Sequence, residues 1–451
     1  MSSTDRLREL GLFDARAPRY TSYPPANHFN DGIGPDRAAA WMRSVTPGTR
    51  VSLYLHIPYC RRLCWFCACR TQGTSTDRPL IPYLDLLKQE LALIDAQLPR
   101  DVELSQIHLG GGTPTLLPPD LIADLGAALR EFRPWSADNQ FSVEIDPTEV
   151  DRARIDALVE IGMTRASIGV QDFDPKVQES IGREQGFDLT AEVVDMIRAA
   201  GIASLNMDIL YGLPYQTRAR MADSVQRVLS LSPDRVALYG YAHVPWMAKR
   251  QVLIPADELP GPEARLELFD TARRLFLWDG YREIGIDHYA REGDSLALAD
   301  RTRTLRRNFQ GYTDDTAEVL IGLGASAISR YPQGFAQNVS TSSKYAAAIG
   351  EGRLATARGH AMSAEDRLRA AMIDMIMCRF ELDLAELSER FDEPLPALRE
   401  RVRGLTTRFP AHLDQQGDRL VMTENARLVA RLVAAELDTF AMPEGRHSRA
   451  L

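Results

Sequence analysis

The stretch "VSLYLHIPYCRRLCWFCAC", residues 51–69, decides how this chain folds. It opens with a β-rich run, "VSLYLHI" (51–57), that reads as a strand. It then passes at once into a loop holding four of the chain's five cysteines: Cys60, Cys64, Cys67 and Cys69. Chemistry delivered at the end of a strand is what a parallel sheet does, because its site lies in the loops at the strands' C-terminal ends.

Working outward, the same unit recurs. Strands are expected at "QIHLGGG" (106–112), "FSVEID" (141–146), "RASIGV" (165–170), "LNMDIL" (205–210) and "RVALYGY" (235–241). Between them, "YLDLLKQELALIDAQL" (83–98), "DLIADLGAALREF" (120–132) and "TAEVVDMIRAA" (190–200) carry apolar residues at helical spacing. Six βα units predict a parallel sheet, too few for a closed eight-stranded barrel. An open partial barrel and a doubly wound sheet both fit the pattern. In either, the strand ends present the cysteines, then "GGGTP", Glu144, Gln171, Asp208 and Tyr241-Ala242-His243 to one face.

The flanks differ in character. Residues 1–50 are irregular, with "APRYTSYPPANHF" (17–29) rich in Pro, Tyr and Ser. Strand-like pieces, "YREIGIDHYA" and "VLIGLGASAIS", lie between 281 and 345. From about 363 come three helical patterns, "AEDRLRAAMIDMIMCRF", "DLAELSERF" and "LPALRERVRGL". A hairpin candidate, "AHLDQQGDRLVM", and a helix, "ENARLVARLVAAELDTF", complete a winged-helix-like module. On an acidic chain that module is expected to pack or cover rather than read DNA.

The chain has 451 residues, 45% hydrophobic and 25% charged, with a net charge of -9, ordinary for a globular protein of more than one domain. That charge argues against nucleic acid or an anionic membrane as the main partner. No apolar run is long enough to span a bilayer, and "MSSTDRLREL" has no apolar signal region. An odd number of cysteines, four of them crowded, is not a disulfide framework, so a reducing cytoplasm is expected.

The Cys-x3-Cys-x2-Cys loop admits three readings. A structural zinc site pairs knuckles a dozen or more residues apart, and four ligands this close leave little room for a tetrahedron. "CWFC" (64–67) suits a dithiol, but its flanking cysteines do not. An iron–sulfur cluster needs a fourth ligand, and the remote Cys378 sits on the apolar face of a helix, where a buried small hydrophobe is the plainer account. A cubane on Cys60, Cys64 and Cys67 therefore leaves one iron open.

This loop after a first strand resembles the radical S-adenosylmethionine superfamily. The resemblance implies one [4Fe-4S] cluster whose open iron is chelated by S-adenosylmethionine. Its reductive cleavage releases a 5′-deoxyadenosyl radical. Phe66, before the last ligand, matches the aromatic that packs on adenine. "HLGGGTPT" (108–115) stands where the superfamily has a "GGE"-like element, but Thr113 replaces the acid, so backbone carbonyls are expected to grip the methionyl group. Glu144 is then a carboxylate for ribose hydroxyls or an ammonium.

The whole chain resembles the oxygen-independent coproporphyrinogen III oxidase family. The motifs are "PRYTSYPP", "YLHIPYCRRLCWFCAC", "GGGTPT", "VEIDP", "SIGVQDFD", "NMDILYGLP", "DHYA", "RNFQGYT" and "GLGASAIS", in family order from residue 18 to 329. "PRYTSYP" and Cys69 set it apart from the related haem-chaperone branch. The resemblance implies oxidative decarboxylation of two propionates of coproporphyrinogen III to vinyl groups, giving protoporphyrinogen IX. It also implies two S-adenosylmethionine molecules. Tyr54, Gly111, Glu144 and Ile328 would contact the iron-bound one; Phe66, Gly112, Thr113, Gln171, Arg183, Asp208 and Ala242 the other.

The fold class expected is thus α/β, an open partial (β/α)6 TIM-like barrel with an N-terminal extension and a C-terminal helical, winged-helix-like domain. Its divisions are 1–50, a segment covering the substrate; 51–290, the partial barrel; 291–360, a barrel extension and connector; and 361–451, the helical domain. A low-potential donor such as flavodoxin or ferredoxin and a monomeric state are also expected. Arg19, Arg303, Arg306 and Arg307 are candidates for the four substrate carboxylates. Cys69 has no cluster role on this reading, and His56 reads as a satisfied strand-end histidine near the cluster. A haem carrier with a vestigial cluster, or a radical transferase with another substrate, are the competing classes.

Overall fold

The computed structural model describes residues 7–13, 15, 17–423 and 427–440. After an N-terminal helix, α1 (Pro35–Arg43), the βα rhythm begins. In chain order it runs β1 (Arg50–Ile57), α2 (Leu80–Asp95), β2 (Glu103–Gly111), α3 (Pro119–Phe132), β3 (Trp135–Ile145), α4 (Arg152–Glu160) and β4 (Arg165–Gln171). It continues with α5 (Phe187–Ala199), β5 (Ser204–Tyr211), α6 (Arg218–Ser230) and β6 (Arg235–Gly240). These six strands lie side by side in sequence order and all pair in parallel. A doubly wound sheet reverses its order at a switch point. This one does not, so the partial barrel is the architecture.

The strands alternate by the sheet's period of two. Val51, Leu53, Leu55 and Ile57 of β1 are buried, as are Ile107 and Leu109 of β2 and Phe141, Val143 and Ile145 of β3. The intervening positions are polar: Ser52, Tyr54 and His56, then Gln106 and His108, then Gln140, Ser142 and Glu144. Register carries these across the sheet, Tyr54 opposite His108 and His108 opposite Ser142. One face therefore packs apolar side chains, and the other carries a row of polar ones.

The sheet extends on both sides to twelve strands. After α7 (Pro262–Trp278), the hairpin β7 (Arg282–Ile284) and β8 (His288–Ala290) adds to β6. The single piece "YREIGIDHYA" thus splits in two, turning at Gly285 with φ +57°. Next comes the small hairpin β9 (Arg306–Asn308) and β10 (Gly311–Thr313). Beyond β1, β11 (Val319–Leu323) pairs in parallel, followed by antiparallel β12 (Ile328–Tyr331), β13 (Gly334–Asn338) and β14 (Thr356–Ala361), with α8 (Ser342–Gly350) between the last two. "VLIGLGASAIS" likewise breaks, at Gly324 with φ +95°. Asp314 seals the polar face from below: Gln140 donates to it at 3.1 Å and Gln106 at 3.4 Å.

The C-terminal part is α9 (Ala364–Arg379), β15 (Glu381–Asp383), α10 (Leu384–Phe391), α11 (Leu395–Arg408), β16 (Leu413–Gln416), β17 (Arg419–Met422) and α12 (Ala430–Leu437). A Ser363–Asp366 capping box starts α9. The expected wing is a three-stranded sheet, β15 joining the hairpin. The last helix, expected over 424–440, is helical at Ala430–Leu437, while 424–426 and 441–451 lie outside the described residues. One apolar core runs from Leu7 through the barrel to Leu437. Among the described residues no helix is long and apolar enough to cross a membrane.

Candidate active site

The cysteine loop leaves β1 and is pinned at both ends. Gln72 donates its backbone N–H to the Pro58 carbonyl at 2.8 Å, and Thr74 to that of Cys60 at 2.9 Å. Cys64 is buried, Cys60 and Cys67 are half-buried, and Cys69 is exposed. Two donors point at sulfur: Arg183 at Cys64 (3.4 Å) and the Cys69 backbone N–H at Cys67 (3.4 Å). Burial pushes the Cys60 thiol up to about 11, whereas the hydrogen bond from the Cys69 thiol brings Cys67 down to about 6. Cys378 is buried in α9 with its thiol on Asp374 at 3.5 Å, part of the core.

The glycine run behaves differently from a simple anion cradle. Gly112 donates to the Ile57 carbonyl (2.7 Å), Thr113 to that of Tyr59 (2.8 Å), and Gly111 to Glu144 Oε2 (2.9 Å). All three N–H groups are spent inside the protein, so toward a ligand the run has only carbonyl oxygens to offer. The glycines are also there for packing. A Cβ on Gly111, at φ +114°, would lie 2.5 Å from His56 Nδ1, and one on Gly112 2.6 Å from the Tyr59 carbonyl oxygen.

Around this run stands a fixed polar group. Glu144 accepts from His108 Nε2 at 3.1 Å and keeps a side chain 39% exposed to the cleft. Burial acts to raise its carboxyl, but His108 and the Gly111 N–H outweigh it and hold the group below its ordinary value. Tyr54 stacks on His108 with ring centroids 5.6 Å apart. His56 Nε2 faces the Arg70 carbonyl at 3.0 Å and must be the protonated nitrogen; Nδ1 then accepts from the Tyr54 hydroxyl at 3.0 Å. Burial lowers the His56 imidazole, in keeping with that neutral tautomer. Both its nitrogens are taken, so it orients Tyr54 and the loop. Ile328 reaches this group through Gly322, whose Cβ position lies 2.7 Å from the Ile328 carbonyl oxygen and which pairs with Tyr54.

A second set gathers on the other side of the loop. Arg183, with a side chain 13% exposed, pairs with Asp146 at 3.1 Å and donates to the Gly169 carbonyl at 2.9 Å. Burial opposes its charge, but Asp146 and the Cys64 sulfur prevail and raise its proton affinity. Gln171 ends β4 at φ +67°, and its amide and Arg183 both crowd Gly169. Asp208 accepts from Asn206 at 2.8 Å and is pushed up to about 6 by burial. Buried Gln251 donates to the Phe66 carbonyl (2.8 Å) and the Ala242 carbonyl (3.1 Å), tying the cysteine loop to the end of β6.

His108, Asp146 and Gln251 were not anticipated. His108 lies two positions before Gly110 on the same face, so strand spacing carries its signal. Gln251 lies in the irregular "KRQVL" and carries none. Of the candidate substrate arginines, Arg307 holds Asp287 at 3.0 Å and Arg303 pairs with Glu381, while Arg19 donates to the Gly240 carbonyl at 2.7 Å.

The Radical SAM superfamily matches residues 54–228. A protein named oxygen-independent coproporphyrinogen III oxidase from Cereibacter sphaeroides is 55% identical over 440 residues, 98% of each chain. One of the same name from Paracoccus denitrificans is 53% identical over all of both chains. The chain belongs to the oxygen-independent coproporphyrinogen III oxidase family. The solved structure of coproporphyrinogen III oxidase from Escherichia coli, described as a radical SAM enzyme, is similar with a TM-score of 0.89 and 34% identity, covering 94% of this chain and 98% of that one.

That family implies a [4Fe-4S] cluster and S-adenosylmethionine, and the residues present fit both. Three thiols stand on one loop with N–H donors aimed at two of their sulfurs, as thiolate ligands require. Beside them the carbonyl-only glycine run and the ionised Glu144 suit an ammonium and hydroxyls.

Proposed function

We propose that this chain oxidatively decarboxylates two propionates of coproporphyrinogen III to vinyl groups, yielding protoporphyrinogen IX for anaerobic haem synthesis. The observation that carries it is the acceptor-lined recess beside Cys60, Cys64 and Cys67, in a chain of this family. Cys60, Cys64 and Cys67 would hold the cluster, and with S-adenosylmethionine it would supply a radical able to abstract hydrogen at the propionate β-carbon. Loss of that hydrogen atom, of CO2 and of one electron, passed to a one-electron acceptor, leaves the vinyl double bond in each half-reaction.

The chain's own residues bind and orient. Tyr54, Gly111, Glu144 and Ile328 are assigned to the iron-bound S-adenosylmethionine. Phe66, Gly112, Thr113, Gln171, Arg183, Asp208 and Ala242 are assigned to a second molecule. The Tyr54–His108–Glu144 contacts share no side chain with the Arg183–Gln171 and Phe66–Gln251–Ala242 contacts, which supports two such positions. Residues 1–50 are assigned a covering role. Arg431 Nε donates to the Pro18 carbonyl at 3.0 Å and Tyr20 to Asp438 at 3.2 Å, clamping the "PRYTSYPP" segment beneath α12. A low-potential flavodoxin- or ferredoxin-type donor, a monomeric state and a cytoplasmic location complete the reading.

Anaerobic reconstitution with iron, sulfide, reductant and S-adenosylmethionine tests it. Two CO2 per coproporphyrinogen III are expected; stoichiometric haem binding without CO2 release would identify a carrier instead.

A further inference from the structure

Beyond Ile328, away from the cysteine loop, lies a cavity of about 520 Å³ bounded by the N-terminal motif, β9, β12 and α9. Its size is that of a small-molecule site. Seven arginines and two acidic residues line it, on a chain whose net charge is -9. Several of those arginines are already matched: Arg307 with Asp287, Arg379 with Glu386, and Arg303 with Glu381.

Of the other four, Arg367 on α9 donates to the Met362 carbonyl and Arg390 on α10 lies over the Phe391 ring, while Arg306 and Arg330 stand on β9 and β12. Among the described residues Arg306 has no hydrogen-bond or ion-pair partner for its guanidinium. Arg330 donates only to the Ala317 carbonyl, at 2.5 Å. Burial and the charge of Arg306 both lower the proton affinity of Arg330, so the two cations share one environment. The lining acids, Asp374 and Glu318, act on these charges but form no ion pair with either arginine. Both guanidiniums are half-buried and neither has a carboxylate in ion-pair contact, so an incoming anion supplies the direct partner that each lacks.

Position says which anion. Ile328 lies across from Gly322, and Gly322 from Tyr54, so the cavity begins where the cofactor-facing residues end. Arg330 is two residues further along β12, roughly 7 Å down the strand and away from the cysteine rim. Tyr20, Phe309 and Phe335 give the same cavity aromatic walls.

We propose that Arg306 and Arg330 anchor the two propionate carboxylates that the reaction leaves intact. The macrocycle then spans the apolar walls, and the reacting propionates point past Ile328. This assignment rests on the activity proposed above and names the end of the substrate that the site grips.

The test is fluorescence titration of the anaerobically reconstituted enzyme with coproporphyrin III and with protoporphyrin IX, which keeps only the retained carboxylates. In Arg306→Gln and Arg330→Gln, Kd for both porphyrins should rise about ten- to hundred-fold, with KM for coproporphyrinogen III rising in step. Iron content and S-adenosylmethionine affinity should match the parent protein. Arg330→Lys, which keeps the charge, should retain most of the affinity. Unchanged binding of both porphyrins overturns the proposal, and so does a loss confined to coproporphyrin III, which would hand the pair to the reacting groups. Parent enzyme that binds both porphyrins yet releases no CO2 would overturn the activity while leaving the anchor in place.

Discussion

Arg183 brings one nitrogen, Nη1, to both the Cys64 sulfur at 3.4 Å and Asp146 Oδ2 at 3.1 Å. The residue arrives from the loop after β4, more than a hundred positions beyond the cysteines. A cation donating to a thiolate ligand stabilises the more negative, reduced cluster more than the oxidised one.

Arg183→Met should therefore keep its iron but lower the cluster's reduction potential. A charge-assisted hydrogen bond of about 1.5–3 kcal/mol corresponds to roughly 60–130 mV for a one-electron couple. An EPR-monitored redox titration reads this directly. A potential equal to that of the parent protein would mean that Arg183 serves only Asp146 and Gly169.

Cys69 stands apart from its three neighbours as a donor to Cys67. It reaches Cys67 with both its thiol and its backbone N–H; serine keeps the second and offers a hydroxyl donor in place of the first. Cys69→Ser should thus retain its four irons per chain, whereas Cys60→Ser, Cys64→Ser and Cys67→Ser should lose the cluster and turnover together. Iron and sulfide analysis after reconstitution decides; a Cys69→Ser protein without iron would make Cys69 a ligand.

Much of this was legible in sequence because strands that carry chemistry at their ends repeat a local pattern. All six barrel strands fall where their β-rich runs predict, and Glu144 and Asp208 lie on their C-terminal portions as read. What was illegible was pairing across the chain. Nothing in "RNFQGYT" says that Arg307 is consumed by Asp287 while Arg306 beside it stays unpaired. Alternation along β9 decides it, and that strand is only three residues long. Nor does the sequence show that "GGGTPT" spends its N–H groups on β1 and Glu144. Glycine runs look alike whether the close neighbour is a ligand or the protein's own backbone.

The glycine run yields a stability prediction with an internal control. Gly112→Ala would bring its Cβ to 2.6 Å from the Tyr59 carbonyl oxygen, a backbone atom of the cluster loop that cannot rotate away. Overpacking of this kind costs about 1–3 kcal/mol. The variant should melt lower and load less iron than the parent. Gly34→Ala, with no atom within 4 Å of its Cβ, should melt like the parent. Equal melting of all three would remove the close packing from the argument.

Glu90 predicts a pH dependence remote from the chemistry. It is buried in α2, where Gly324 N and the Tyr345 hydroxyl donate to one oxygen and Asn338 Nδ2 to the other, each at 2.7 Å. Burial outweighs those donors and pushes its carboxyl up to about 7, from an ordinary value of 4.5. Between those two values the folded chain holds a proton that the unfolded chain has released. The resulting stability is complete below pH 4.5 and is lost as pH rises to 7, a decline on the order of 3 kcal/mol at ~1.4 kcal/mol per unit. Glu90→Gln cannot ionise, so its stability should be flat across that window. It should also be lower by about 1–3 kcal/mol, because an amide presents one acceptor where three donors converge. Denaturant midpoints of the parent and variant at pH 5 and 7 test both parts; a parent protein equally stable at the two pH values would show that Glu90 is ionised throughout.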